Sequence, residues 1–251
     1  MTDIIELKRI ATQVRRDIIR MVGGASSGHP GGSLGCADVM TALYFGHMDL
    51  NPEQFDRKGG NEDMFFLSNG HISPVWYSVL ARRGYFPVKE LGTFRRLGSR
   101  LQGHPSVHDN LPGIRQASGS LGQGLSVGIG AALAKKMNGC DKLVYTLHGD
   151  GELQEGQIWE AVMFAGAKHV DNLIAIVDVN NLQIDGTTDK VCSLGDLEKK
   201  FEAFMWKTVT MDGNDMQSVV DGLRKAKAET GQSSPVVILM KTHMGFGVDF
   251  M

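Results

Sequence analysis

The 251-residue sequence has few cysteines, no marked excess of charge and no long apolar run. Its net charge is -2, with 26 Lys and Arg against 28 Asp and Glu, which gives no basis for binding nucleic acid or an anionic membrane. No apolar stretch reaches the roughly 18 residues of a membrane span, and the N-terminus has no signal-peptide pattern. These absences predict a cytoplasmic protein that binds a small molecule.

The three cysteines exclude two further kinds of site. Cys36, Cys140 and Cys192 are scattered along the chain and odd in number. They therefore provide neither a metal-binding spacing nor an even disulfide set. We expect reduced thiols.

Glycine is the residue in excess, because 32 of the 251 residues are glycine, nearly twice the usual share of about 7%. Such an excess indicates backbone positions that approach a ligand closely or adopt positive φ. The glycines cluster beside predicted helix starts, in GGASSGHPGGSLG (23–35), LSNGH (67–71), SGSLGQGLSVGIG (118–130) and HGDGELQEG (148–156). We therefore expect these loops to gather on one functional rim.

Short β-branched and apolar runs alternate with longer helical patterns along the chain. The runs are MFFLS (64–68), KLVYTLH (142–148), NLIAIVDV (172–179) and PVVILMK (235–241). This alternation predicts an α/β fold in which a parallel sheet is flanked by helices on both faces. No repeat or linker interrupts the chain, so residues 1–251 are expected to form a single domain. The N-terminal helix is expected to carry an apolar stripe of Ile5, Ile10, Val14, Ile18 and Met21.

The segment LHGDGELQEGQIWEAV (147–162) places Asp150 between two glycines at the end of a predicted strand. A helix is expected from about residue 155 to residue 168, and the next strand ends at Asn180, which completes a βαβ unit. The two strands are then parallel, so Asp150 and Asn180 lie at the same edge of the sheet. Gly-Asp-Gly alone is usually only a turn, and so is Asn-Asn. Their position at two strand ends is what favours a ligand site.

Oxygen ligands at this edge suit magnesium, which prefers about six oxygens and often shares them with a substrate's phosphates. Asp150, Asn180 and a nearby backbone carbonyl would supply part of that shell, and a diphosphate would supply more. Gly151 would let the backbone approach the phosphate. The N-terminus of the following helix would add its dipole and its unpaired N–H groups.

Three of the eight histidines lie in glycine-rich loops, namely His29, His71 and His104. Histidine is the side chain best suited to acid–base chemistry near neutral pH, although a lone loop histidine is usually only a surface residue. His148 is expected to pack at a strand end. The remaining histidines are expected to be structural or surface groups: His47, His108, His169 and His243.

Several sequence blocks, in order along nearly the whole chain, resemble transketolases, in the form divided over two chains. The thiamine-diphosphate motif of that family resembles GDGELQEGQIWEA (149–161) followed by NNLQIDG (180–186). The other similar blocks are SSGHPGGSLG (26–35), FLSNGHISPVWYSVL (66–80), LQGHPS (101–106), SGSLGQGLSVGIGAALA (118–134) and KTHMGFGVDFM (241–251).

The resemblance implies the thiamin diphosphate-binding fold and transfer of a two-carbon ketol unit from a ketose to an aldose. The implied cofactors are thiamine diphosphate and Mg²⁺, for which Ca²⁺ or Mn²⁺ can substitute. By similarity, the metal ligands would be Asp150, Asn180 and the carbonyl of Leu182. Residues implied in cofactor binding are His71, Gly119, Ser120, Leu121, Gly149, Asp150, Gly151 and Asn180; at Ser120 many relatives have proline.

By the same similarity, His29 and His104 would contact the sugar hydroxyls and transfer their protons. Glu155 would lie near an interface between chains and link paired active sites. The alternative is a purely structural role, because a carboxylate at a helix start is stabilised by the helix macrodipole. Residues matching the pyrimidine-binding and C-terminal domains are not in this sequence. We therefore expect them on a separate transketolase C-terminal subunit, with activity only in a complex, expected to be an α2β2 heterotetramer.

Substrate identity stays open at this point. Pentose phosphates are the default, and split relatives also use sulfo- or apio-ketoses. One alternative class is a non-catalytic binding or regulatory subunit with the same fold. Another is a dinucleotide-binding oxidoreductase, suggested by GQGLSVG (122–128), but its glycine spacing and the absence of a preceding strand count against it.

Overall fold

The computed structural model describes residues 3–251. Its α-helices are α1 (Ile4–Ala25), α2 (Pro30–Gly35), α3 (Ala37–Ala42), α4 (Ser73–Arg83), α5 (Gly124–Met137), α6 (Gly156–Ala167), α7 (Thr188–Cys192), α8 (Leu197–Ala203) and α9 (Met216–Ala228). Its strands are β1 (Met64–Leu67), β2 (Val144–Gly149), β3 (Leu173–Val179), β4 (Leu182–Gln183), β5 (Gly186–Thr187), β6 (Lys207–Asp212) and β7 (Val236–Lys241).

The main sheet has five parallel strands in the order β1-β2-β3-β7-β6. Four of them are the strands expected from apolar runs, displaced by no more than two residues at either end. The fifth, β6, was missed because it lies at the sheet edge and alternates buried with exposed residues, so it forms no continuous apolar run. Strands β4 and β5 form a separate antiparallel hairpin directly after β3.

Both faces of the sheet are covered, as expected. Alternate residues of the central strands enter two separate cores: Tyr145 and Ile174 pack in one, Val144 and Ala175 in the other. Helices α1, α3, α4 and α9 contribute to the first core, whereas α5, α6 and α8 contribute to the second. Burial on both faces is the reason that these strands read as unbroken apolar runs.

The first helix confirms part of its expected stripe. Val14, Ile18 and Met21 are buried, and Ile10 is partly buried against the core. The placement of Ile5 was wrong, since it is 76% exposed. Leu7 is the buried residue at that end of the helix. The buried face follows the 3.6-residue helical period more closely than the expected set of apolar residues, which began at Ile5.

The loops at the carboxyl edge of the sheet follow β1, β2, β3 and β7. In the register of β2 with β3, Gly149 pairs with Asp178, so these two strands end side by side. The three cysteines are unpaired. Within residues 3–251, no helix combines the length and apolarity that crossing a membrane requires.

Candidate functional site

Asp150 joins the ends of β2 and β3. The residue is 1% exposed, and its Oδ2 accepts a hydrogen bond of 2.6 Å from the N–H of Asn181. Its Oδ1 accepts a bond of 2.7 Å from the N–H of Gly151. Burial raises the pKa of Asp150 to about 6, against the opposing effect of these backbone donors. The two strand ends therefore meet at one carboxylate, as the βαβ pattern predicted.

Asn180 is held beside this carboxylate by a buried acid. Its Nδ2 donates to Asp178 Oδ2 at 3.0 Å, and its Oδ1 accepts from the N–H of Leu182 at 2.9 Å. Asp178 is itself buried and also accepts a hydrogen bond from Thr242 at the end of β7. The amide is thus fixed with its oxygen toward Leu182, so the structure brings together the three residues expected as metal ligands.

The donor chemistry of this cluster fits a hard divalent cation. No group of three His, Cys, Asp or Glu side chains suited to a metal occurs within residues 3–251. A cation here would instead depend on one carboxylate, the Asn180 amide oxygen and backbone oxygens, with a ligand completing its shell. That is the kind of incomplete oxygen set on which Mg²⁺ and a diphosphate bind together.

Gly151 lies between Asp150 and the start of α6. Its N–H already donates to Asp150, and residues Gly151–Gln154 form a short 3-10 helix, while α6 begins only at Gly156. The helix therefore starts within one residue of its expected start at about residue 155. A Cβ on Gly151 would lie 3.0 Å from Cβ of Gln183 in the hairpin, which is a tight contact.

The loop after β1 meets the loop before α5 at van der Waals distance. A Cβ on Gly70 would lie 2.5 Å from Ser118 Oγ and 2.8 Å from the Gly119 nitrogen. Two polar atoms, Asn69 Oδ1 and Ser118 Oγ, are buried here without a hydrogen-bond partner. The Ser118 hydroxyl can donate to an oxygen of the expected diphosphate, whereas Asn69 Oδ1 only accepts and would need a donor or a cation as its partner. Sequence reasoning did not single out Asn69 or Ser118, although both lie within its glycine clusters.

The other residues expected to bind the cofactor lie on the same rim. Gly119 and Ser120 are exposed, and Leu121 is half-buried. Gly119 has φ of +123°, and a Cβ there would lie 2.8 Å from Cδ2 of His104. This contact requires glycine for both backbone conformation and space. It also joins the 118–122 loop to one of the three loop histidines.

His29, His71 and His104 form one cluster. The rings of His29 and His71 are 5.2 Å apart in an edge-to-face arrangement. Burial, and to a smaller extent the charges of His29 and His104, lower the pKa of His71 to about 4. The pKa values of His29 and His104 are also lowered, first by partial burial and then by nearby positive groups, Arg95 among them. The three histidines are therefore unprotonated bases at neutral pH.

Arg95 is a cluster residue that sequence reasoning missed. Its backbone has φ of +58°, and its Nη1 donates to Ser27 Oγ at 3.0 Å. Its guanidinium covers Gly103, where a Cβ would lie 2.7 Å from Arg95 Cζ. Its Nε is buried without a hydrogen-bond partner. Arg95 is identified as part of the cluster by its short distance to Gly103, next to His104. No sequence pattern indicates that distance.

Two further expectations concern single residues. Glu155 is exposed at the N-cap of α6, and its side chain makes no capping hydrogen bond. His148 is buried, with Nε2 2.8 Å from Thr146 Oγ1, as expected for a histidine packed at a strand end. The segment GQGLSVG (122–128) leads into α5 but follows a loop rather than a strand, so it does not form a dinucleotide-binding turn.

Residues 7–250 match the family described as transketolase, thiamine diphosphate binding domain. The chain is 41% identical over 247 residues to the 6-deoxy-6-sulfo-D-fructose transketolase subunit SqwG of Clostridium sp. (strain MSTE9), covering 98% of this chain and 88% of that protein. It is 38% identical over 237 residues to an apulose-4-phosphate transketolase subunit from Phocaeicola vulgatus, covering 94% of this chain and 82% of that protein.

Solved structures give the same likeness. Transketolase from Campylobacter jejuni superimposes with a TM-score of 0.90 at 33% identity, over 99% of this chain and 39% of that one. A Pichia stipitis transketolase in complex with sedoheptulose-7-phosphate has a TM-score of 0.90 at 35% identity, over 98% of this chain and 37% of that one. The expected sheet flanked by helices, of the thiamin diphosphate-binding type, is thus confirmed. The chain spans well under half the length of these two transketolases.

Proposed function

The chain belongs to the transketolase family, as a thiamine-diphosphate-binding domain, and on that premise we propose that it is the N-terminal subunit of a two-chain transketolase. Its reaction would transfer a two-carbon ketol unit from a ketose to an aldose. The proposal depends on the position of Asp150, which accepts from the N–H of Asn181 and so lies next to Asn180 at one sheet edge. The adjoining glycine loops contact the three-histidine cluster.

Magnesium would be held by Asp150, Asn180 and the carbonyl of Leu182. The diphosphate would lie against Gly149, Gly151, His71 and the turn formed by residues 119–121. When bound, thiamine diphosphate supplies an electron sink for cleavage of the donor's carbon–carbon bond. Support comes from the oxygen-rich donor set at Asp150 and from the unpartnered buried hydroxyl of Ser118 beside Gly70, which can donate to a phosphate oxygen.

The histidines would act as acid–base groups for the hydroxyl protons of the sugar. His29 and His104, unprotonated at neutral pH, would accept the proton of a donor hydroxyl and return a proton when the acceptor aldose is joined. Both side chains are exposed in the cluster, so a bound sugar can reach them. Exposed Glu155 would face the partner chain and help to link paired sites.

A second chain would supply the pyrimidine-binding and C-terminal domains, in a cytoplasmic α2β2 complex. Support comes from the relatives named as transketolase subunits, which this chain matches over most of their length. The mouse transketolase, by contrast, is matched over only 38% of its length. Sedimentation of this chain mixed with its partner tests the complex, and a chain that remains monomeric contradicts it.

The donor sugar is the least specified part of the proposal. We take xylulose 5-phosphate as the first donor to test. Named relatives justify two others, because the 41% and 38% identical proteins are 6-deoxy-6-sulfo-D-fructose and apulose-4-phosphate transketolase subunits. Ketol transfer to ribose 5-phosphate should be assayed with each donor, for this chain alone and for the complex. Activity in the complex alone supports the proposal, whereas cofactor binding without transfer from any donor favours a regulatory role.

Removing the proposed metal charge gives a sharper test. Asp150→Ala should weaken Mg²⁺-dependent thiamine diphosphate binding by the complex more than about 100-fold, because the cation loses its anionic ligand. Titration calorimetry measures the affinity. Asp141→Ala is a matched control, since Asp141 is an exposed carboxylate just before the same strand that Asp150 follows. Unchanged affinity in Asp150→Ala would overturn the metal assignment.

A further inference from the structure

Glu152 is a buried carboxylate that links three separate loops of the candidate site. The residue is 2% exposed and lies in the short 3-10 helix after β2. Neither the metal ligands nor the histidine cluster includes it. Its hydrogen bonds reach the loop after β1, the loop before α5 and the end of β2.

Each carboxylate oxygen of Glu152 accepts from a different part of the site. Oε1 accepts from the hydroxyl of Ser68 and from the N–H of Gly122, the latter at 2.7 Å. Oε2 accepts from the N–H of Gly149 at 3.3 Å. Ser68 Oγ extends the network, because it accepts from the N–H of Gly124 at 3.1 Å.

The three anchored points flank the residues proposed to bind the cofactor. Ser68 precedes the segment that contains His71, Gly122 directly follows the turn of residues 119–121, and Gly149 precedes Asp150. The segments are glycine-rich, so their backbones have more conformational freedom to lose when a ligand orders them. A carboxylate that already holds all three lowers this entropic cost of binding.

We propose that Glu152 is a positioning residue, which preorganises the three loops of the thiamine diphosphate site before the cofactor binds. This inference rests on the proposed function. It differs from a purely structural role, in which loss of Glu152 would lower the stability of the fold and leave the affinity of the folded protein unchanged.

Asp63 offers a matched control for that distinction. It is also a buried carboxylate that accepts two backbone N–H groups, from Asp49 at 2.9 Å and from Leu143 at 2.8 Å. It immediately precedes β1, at the opposite edge of the sheet from the candidate site. Asp63→Asn and Glu152→Gln therefore each remove a buried carboxylate that accepts backbone N–H groups, but only the second lies at the cofactor loops. Glu152 differs in also lying 3.5 Å from Nδ1 of His148.

The first experiment compares thiamine diphosphate affinity of the complex, at saturating Mg²⁺, for wild type and both variants. We expect both substitutions to lower the thermal unfolding midpoint. Only Glu152→Gln should raise the dissociation constant, by about tenfold or more, as is typical when a residue that orients ligand-binding groups is lost. Equal dissociation constants in the two variants would overturn the proposal.

A second measurement does not depend on the cofactor. Hydrogen exchange of the full chain without ligand should become faster in Glu152→Gln at residues 68–71, 118–124 and 149–151, and stay as in wild type at these positions in Asp63→Asn. Unchanged exchange there would also overturn the proposal. If wild type itself fails to bind thiamine diphosphate, the proposed function fails, while the exchange result still decides whether Glu152 orders the loops. If Glu152→Gln does not fold, Ser68→Ala takes its place in this experiment, because it removes one hydrogen-bond donor to Glu152. It should accelerate hydrogen exchange at residues 118–124.

Discussion

At the scale of single residues, the histidine cluster depends on a neighbour that has no sequence signature. The loop positions of His29, His71 and His104 made them candidates, and the structure brings all three together. Arg95 lies in an irregular segment and reaches the cluster through its contact with Gly103. Its role follows from distance alone, so no periodicity or motif could have predicted it.

We expect Arg95→Met to raise the pKa values of His29 and His104. Both are lowered mainly by partial burial and further by the positive charge of Arg95, so removing that charge makes protonation of the imidazoles easier. Titration of the histidine Cε1–H signals by NMR measures the shift. Arg96→Met is the control, because Arg96 is the exposed neighbour and should leave both titrations unchanged. Unchanged titration in Arg95→Met would contradict the electrostatic assignment.

At the scale of elements, the sequence predicted where strands end but not how helices pack on each other. The apolar runs located β1, β2, β3 and β7, and the βαβ pattern then placed Asp150 beside Asn180. Helix contacts could not be predicted in this way. Whether a helical glycine contacts a neighbour depends on the position of a segment elsewhere in the chain. Gly166 in α6 and Gly130 in α5 look alike in sequence, yet their surroundings are opposite.

Alanine substitution should separate these two glycines. A Cβ on Gly166 would lie 1.9 Å from the carbonyl oxygen of Phe204, so Gly166→Ala should lower the free energy of unfolding by about 2 kcal/mol or more. A Cβ on Gly130 would meet nothing within 4 Å, so Gly130→Ala should raise it by up to about 1 kcal/mol through helix propensity. Urea denaturation measures both. Similar stability of the two variants would show that α6 does not pack on this backbone as described.

At the scale of the whole molecule, stability is expected to fall in mild acid because of a half-buried histidine outside the site loops. His47 packs edge-to-face on Tyr145, with ring centroids 5.6 Å apart. Burial, and to a smaller extent the charges of Lys227 and Arg224, lower the pKa of His47 to about 4. An unfolded histidine titrates near 6.5, so the unfolded chain binds more protons between these two values.

The stability contributed by neutral His47 is therefore complete above about pH 6.5 and is lost as the pH falls toward 4. At pH 5 the loss amounts to about 2 kcal/mol for this residue. His47→Gln should lose correspondingly less stability than wild type between pH 7 and pH 5, in urea denaturation at each pH. His108→Gln, at an exposed position, is the control and should follow wild type. Equal pH dependence in wild type and His47→Gln would contradict the assignment.

The sequence by itself determined the parallel sheet, the glycine-rich rim and the convergence of Asp150 with Asn180. These follow from hydrophobic period and from the geometry of a βαβ unit, both of which are properties of neighbouring residues along the chain. Only the tertiary structure decided that Glu152 joins Ser68, 84 positions away, to the other loops. It alone decided that Arg95 covers the loop beside the histidines. It also decided that the Gly151 N–H donates to Asp150. Such contacts depend on distances between remote segments, and these are fixed only when the whole chain packs.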